Sequence, residues 1–152
     1  YQRHFLHVAL FGVALASMSV AMAAPLDEAR EAQRAGDGAV LATLADAAVS
    51  RADKLEAVRR ARWLRMPELA LEPLARLAAG RDPALAPEAA FVAHEIATSL
   101  DPLTLEAHEV ALASLATARD ALRALGRDGT ARPDIRALAS SAASHIDALS
   151  TR

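Results

Sequence analysis

Two His-Glu dipeptides are the residues of this sequence best suited to chemistry. They are His94-Glu95 and His108-Glu109, and they flank Asp101-Pro102, where we expect a turn between two helices. Imidazole and carboxylate groups bind zinc when three or four of them converge on one point, so both histidines with Glu95 or Glu109 could form a metal site. The alternative is that His108 is a core or half-buried histidine bonded to a backbone carbonyl, because it falls on the apolar stripe of its predicted helix.

A haem is the other cofactor that the histidines could bind. His145 and Met66 are residue types that serve as axial haem ligands. However, the sequence has no cysteine for covalent haem attachment, and a histidine near the end of the last predicted helix is also explained as a cation favoured at a helix C-terminus. The metalloprotease, phosphate-loop, serine-hydrolase and EF-hand motifs are all missing from the sequence. We therefore expect a non-enzymatic protein without a cofactor, and the alternative is a helical metal- or haem-binding protein that uses His94, His108 or His145.

The elements that must position these residues are expected to be helices. Hydrophobic residues make up 53% of the chain, but aromatic residues make up only 3%. Alanine and leucine, which are strong helix formers, supply most of the difference, whereas strand-forming residues are sparse. The composition therefore predicts an all-α protein. The formal net charge is −2 and no acidic or basic block interrupts the sequence, so nucleic acid is not an expected partner.

The first residues of the chain predict its compartment. Arg3 precedes an apolar run at residues 5–20, and Ala21-Met22-Ala23 offers a small-x-small site before Ala24. This is the layout of a secretory signal peptide. We therefore expect residues 1–23 to be a signal peptide and residues 24–152 to form one helical domain of a bacterial protein that is periplasmic or secreted. The alternative is a retained membrane helix, for which the apolar stretch is barely long enough to span hydrocarbon. Once the signal is cleaved, we expect no stable membrane insertion.

Glycine-containing breaks recur along the mature part of the chain. They are Gly36-Asp37-Gly38, Gly80-Arg81-Asp82-Pro83 and Gly126-Arg127-Asp128-Gly129, and their first residues are 44 and then 46 residues apart. Glycine commonly ends a helix and aspartate commonly caps the next one, so regular breaks of this kind indicate an array of helical repeats. The apolar period predicts about six helices after the signal helix, of which the longest covers residues 103–125 and the last covers residues 133–149.

Two of the predicted helices share a finer pattern. Asp53 is followed by Val58-Arg59, and Asp128 is followed by Ile135-Arg136, each running into an alanine-rich stripe. Both segments resemble the first helix of a HEAT repeat. The middle unit departs from this pattern, because Pro87-Glu88 occupies the place of the Val-Arg pair. The resemblance implies a short right-handed α-solenoid of helical hairpins that binds other proteins on a concave face, and it implies no catalytic residues.

A cluster on and after the first HEAT-like helix is the candidate contact surface for a partner protein. It consists of Arg59, Arg62, Trp63 and Arg65, and we call it the contact face. Trp63 could anchor a partner, since tryptophan is enriched at interface hot spots, or it could pack against Met66 and the next hairpin. The arginines could meet an acidic partner, or they could be neutralised by nearby glutamates, namely Glu56, Glu68 and Glu72. We expect an exported scaffold for protein–protein interaction, and the identity of the partner and the oligomeric state stay open.

Overall fold

The computed structural model describes residues 26–151, and the chain divides into two units, Tyr1–Gly36 and Asp37–Arg152. The predicted signal peptide at residues 1–23 lies outside the described part. In the first unit, residues 26–36 are helical and exposed. In the second unit, residues 37–45 are helical, and we label this segment α1.

The rest of the second unit is also helical. In chain order its α-helices are α2 (Arg51–Arg60), α3 (Leu71–Ala79), α4 (Leu85–Ser99), α5 (Pro102–Ala107), α6 (Ala116–Arg127) and α7 (Pro133–Leu149), and short 3₁₀ helices lie at Ala61–Trp63, Pro67–Ala70 and Leu112–Leu115. No strand occurs in residues 26–151. The prediction of an all-α protein is therefore confirmed, and no helix among these residues is both long enough and apolar enough to span a bilayer.

Local sequence signals explain where several helices begin. The hydroxyl of Ser50 accepts a hydrogen bond from the backbone N–H of Asp53, at 3.2 Å, and so caps α2. A carboxylate oxygen of Asp101 accepts from the backbone N–H of Thr104, at 2.8 Å, and caps α5. Helix α7 begins at Pro133, which lacks a backbone N–H and so leaves no donor unpaired at a helix start. Of these helix starts, the one at Pro133 is the start that the sequence predicts at the observed residue.

The helices of the second unit pack in a regular order. Helix α4 packs between α2 and α7, helix α3 packs against α4 and α6, and α6 packs against α7. Alanine is the commonest residue of the buried core in the described part of the chain, and its small side chain allows neighbouring helix axes to approach closely. The β-branched residues of the two HEAT-like segments, Val58 and Ile135, are both buried. Ile135 lies in the first turn of α7, whereas Val58 lies in the last turn of α2.

The predicted long helix at residues 103–125 is wrong, because the chain leaves the helical path after α5. Glu109 has a φ angle of 55°, in the left-handed region. The N–H of Val110 donates to the carbonyl of Leu105 at 2.9 Å, and the N–H of Glu109 donates to the carbonyl of Glu106 at 3.0 Å. These two bonds form a Schellman motif, which closes the end of a helix. The prediction failed because the residue in the left-handed position is a glutamate and not a glycine.

The predicted break at residues 36–38 is also wrong. Gly36, Asp37 and Gly38 are each helical. Glycine lowers helix stability by about 1 kcal/mol relative to alanine but does not forbid the helix, and a buried apolar side chain such as Leu44 holds α1 against the core. The apolar period predicts that the first HEAT-like helix covers residues 53–65, whereas α2 ends at Arg60 and 3₁₀ geometry follows.

Candidate functional site

Ion pairs connect the segment around α2 to the segment around α4. Three arginines each contact an acid that lies 29 to 33 residues further along the chain, and the pairs are Arg51–Asp82 at 2.8 Å, Arg59–Glu88 at 3.3 Å and Arg62–Glu95 at 2.8 Å. We call these three contacts the ion-pair ladder. Most of its members are partly exposed, so each pair contributes little to stability by itself, but together the pairs hold the arginine side chains in place.

The acids that neutralise the arginines of the contact face differ from those that the sequence predicts. The sequence predicts Glu56, Glu68 and Glu72 as the neutralising acids, but of these only Glu56 contacts an arginine next to the contact face, namely Arg60, at 3.7 Å. Glu72 pairs with Arg76 on its own helix, and Glu68 is buried against His108. The acids that neutralise Arg59 and Arg62 are on α4, and they were missed because their partners are distant in sequence.

Arg62 is the most constrained arginine of the contact face. Its side chain is 26% exposed, and its guanidinium lies 5.8 Å from the centre of the Phe91 ring while pairing with Glu95. A cation over an aromatic face gains electrostatic attraction from the ring. Phe91 is itself 44% exposed. The arrangement presents a held guanidinium and part of an aromatic ring at the surface.

Trp63 lies in the 3₁₀ helix that follows α2, and it is 79% exposed. The expectation that it packs against Met66 and the next hairpin is therefore wrong. The change from α to 3₁₀ geometry after Arg60 alters the direction of the side chains that follow. Arg65 is exposed as well, and its backbone N–H donates to a carboxylate oxygen of Asp37 at 3.1 Å.

The four metal candidates do not gather into one site. Nε2 of His94 lies 3.1 Å from the hydroxyl oxygen of Ser141, and Glu95 is engaged by an arginine of the ladder. Nδ1 of His108 lies 2.7 Å from a carboxylate oxygen of Glu68, and Glu109 is exposed at the end of α5. Across residues 26–151, no three His, Cys, Asp or Glu side chains come together as metal ligands would. Nothing in this geometry favours the metal interpretation.

The contact between Glu68 and His108 is the least expected one in the molecule, and we call it the buried pair. The Glu68 side chain has no exposed surface, and its Oε2 atom has no hydrogen-bond partner among the described residues. A backbone carbonyl was the expected partner of His108, which the structure corrects to a carboxylate. Burying a carboxylate is expensive unless it is paired, so this contact must be kept intact. The sequence signal for this buried contact is that Glu68 stands in an apolar stretch, next to Leu69 to Leu71.

His145 also has a protein partner. Its Nε2 atom lies 3.1 Å from the carbonyl oxygen of Leu100, at the end of α4. This contact joins α7 to the α4–α5 connection, and it gives His145 a structural role in packing. Met66, the proposed second haem ligand, is half-buried at the start of the 3₁₀ helix Pro67–Ala70.

The second and third glycine-containing breaks lie close together in the fold. The turns that carry Gly80 and Asp128 both line a groove of about 510 Å³. The backbone N–H of Leu85 donates to Asp82 and lowers the pKa of that carboxyl group, and the hydroxyl of Thr130 does the same for the pKa of Asp128. Each aspartate therefore stabilises its own turn as a carboxylate. Of the three glycine-containing breaks, the second and third therefore correspond to neighbouring turns in the fold.

No protein-family model, curated protein or solved structure matches the chain. The residues themselves and the geometry described above therefore carry the functional proposal.

Proposed function

We propose that the chain is an exported, non-enzymatic protein–protein interaction module, built as a short solenoid of HEAT-like helical hairpins. The observation that carries the proposal is the 79% exposure of Trp63. Tryptophan and arginine are the residue types that most often dominate interface hot spots. When a partner covers a large aromatic side chain that was exposed to water, the free energy of the system falls. Binding of a partner at the contact face is therefore favoured.

The packing order of the helices supports the repeat architecture. In a stack of hairpins, the first helices of successive units contact one another, and so do the second helices. Helices α2, α4 and α7 follow this rule, as do α3 and α6. The pair Arg59–Glu88 spans 29 residues, and the two residues occupy equivalent motif positions in successive units. Such a bridge between units is what the HEAT-like arginine is expected to provide.

The proposed location outside the cytoplasm depends on residues 1–23, which precede the described part. The intact mass of the protein isolated from its native host tests this proposal. Cleavage after Ala23 would give a mature chain that begins at Ala24 and is recovered outside the cytoplasm. An intact N-terminal segment on protein recovered from the cytoplasm would contradict export.

The binding function is tested by comparing two truncations of equally exposed apolar side chains. Trp63 is 79% exposed and Leu103, on α5, is 76% exposed, so neither contributes much to the core. After the partner is identified by crosslinking and purified, its affinity is measured for wild type, Trp63→Ala and Leu103→Ala. A hot-spot tryptophan is worth about 2 kcal/mol or more, so Trp63→Ala should weaken binding by about thirtyfold or more.

Leu103→Ala should leave the affinity within about twofold of wild type, because most interface-distant surface changes are nearly neutral. Thermal unfolding of both variants provides the stability control. Equal affinities of wild type and Trp63→Ala for the partner would refute the contact face as the binding surface. A larger loss with Leu103→Ala would place the binding surface at α5 instead.

A further inference from the structure

The segment from α5 to α6 carries a conflict between its local sequence and its tertiary contacts. Residues 103–125 contain neither glycine nor proline and are rich in alanine and leucine, which are the strongest helix formers. Leu105, Leu112, Leu115 and Leu122 would share one stripe of a continuous helix, because their spacing is 7, 3 and 7 residues. Local propensity therefore favours one long helix where the structure has a break.

The break carries a backbone penalty. Glu109 takes the left-handed conformation with φ at 55°, which a residue with a Cβ atom adopts only at a free-energy cost. The break also leaves Leu112 39% exposed, although it belongs to the apolar stripe. Strained positions of this kind persist only where surrounding contacts determine them.

The buried pair lies directly beside the break. His108 is the last residue before Glu109, and its Nδ1 atom lies 2.7 Å from Oε1 of the buried Glu68. If residues 103–125 formed one helix, residue 108 would lie inside it and its position would have to follow the helix axis. The pair therefore holds the end of α5 against the 3₁₀ helix Pro67–Ala70.

Little else restrains α5. This helix has six residues and does not pack extensively against any other helix in the described chain. Leu105 is its one buried residue, whereas Leu103 is 76% exposed. A short, lightly packed helix beside a strained residue is a low-stability element of the kind that moves.

We infer that residues 102–127 form a two-state element, in which the buried pair Glu68–His108 selects the broken conformation over a continuous helix. In the second state Glu109 becomes helical, the strain at this residue is relieved, and α5 changes its direction relative to α7. The buried pair thus holds residues 102–127 in the broken conformation, and we call it the clasp in this role. This two-state element is separate from the contact face and from its proposed partner.

Pulsed electron paramagnetic resonance distances test this inference. The chain has no cysteine, so Leu103→Cys and Ser144→Cys give two unique spin-label sites on exposed positions of α5 and α7. The labelled wild type should show one dominant distance. Glu68→Gln replaces a charged hydrogen bond by a neutral one and should raise a second, resolved distance by about five- to tenfold in population.

Two further variants make the test decisive. Glu109→Val changes only the exposed, strained position, and it should also raise the second distance because a β-branched residue is strongly disfavoured there. Glu109→Gly added to Glu68→Gln should return the protein to one distance. The control Glu72→Gln removes an exposed carboxylate that pairs with Arg76, and it should change nothing.

A single unchanged distance in folded Glu68→Gln and Glu109→Val would overturn the inference. If Glu68→Gln fails to fold, the result with Glu109→Val decides alone. A second distance that appears equally in the Glu72→Gln control would also overturn it, because the effect would then not belong to the clasp.

Discussion

Replacing Glu109 by glycine should stabilise the protein, although glycine usually does the opposite. Glu109 is exposed, its side chain makes no hydrogen bond to another described residue, and its φ angle is 55°. Relief of the left-handed strain is worth about 1–2 kcal/mol, while the extra freedom of glycine in the unfolded chain costs about 0.5–1 kcal/mol. Glu109→Gly should therefore raise the free energy of unfolding by about 0.5–1 kcal/mol.

The matched control is the same substitution three residues earlier. Glu106 is also exposed, but it lies inside α5, so Glu106→Gly should lower the free energy of unfolding by about 0.5–1 kcal/mol. Urea denaturation followed by far-ultraviolet circular dichroism measures both values under identical conditions. Opposite signs support the Schellman motif at the end of α5. Similar losses from both substitutions would refute it, because residue 109 would then be helical, as the periodicity predicts.

Two other predictions concern the packing of α6 on α7 and the aspartate turns. Gly126→Ala should lower the melting temperature, because a Cβ atom there would lie 2.2 Å from the hydroxyl oxygen of Ser140 and overpacking costs about 1–3 kcal/mol. Gly38→Ala is the control, since Gly38 is helical with nothing within 4 Å of the added atom; equal effects of both substitutions would contradict the close approach. For the turns, the N–H of Leu85 lowers the pKa of Asp82, so this carboxylate stabilises the fold above its unfolded pKa and the contribution is lost as the pH falls through the folded pKa. Urea titrations from pH 7 to about pH 3 should therefore show wild type losing more stability than Asp82→Asn, and parallel losses would show that the turn does not favour the charged form.

The sequence predicts well the parts of the fold that depend on local signals. Alanine and leucine content predicts the all-α class, and Pro133 together with the apolar period predicts α7 with its observed bounds. Val58 and Ile135 are both buried, as expected for apolar residues of predicted helices. In each case the information lies within one helix or its cap.

The parts that failed depend on tertiary contacts. The end of α5 has no glycine, so no local signal predicts that Glu109 is left-handed, and the adjacent His108 contacts Glu68, which lies 40 residues earlier. The exposure of Trp63 likewise depends on the change to 3₁₀ geometry after Arg60. The ladder partners on α4 are too far along the chain for charge patterning to reveal.

We propose that Trp63 and its arginine neighbours bind another protein outside the cytoplasm. Photo-crosslinking in the native host addresses this directly, with a photoreactive phenylalanine analogue at position 63 and, in a separate strain, at position 103. We expect one discrete adduct from position 63 in the exported fraction, and none from position 103. Equal adducts from both positions, or an adduct from position 103 alone, would contradict it.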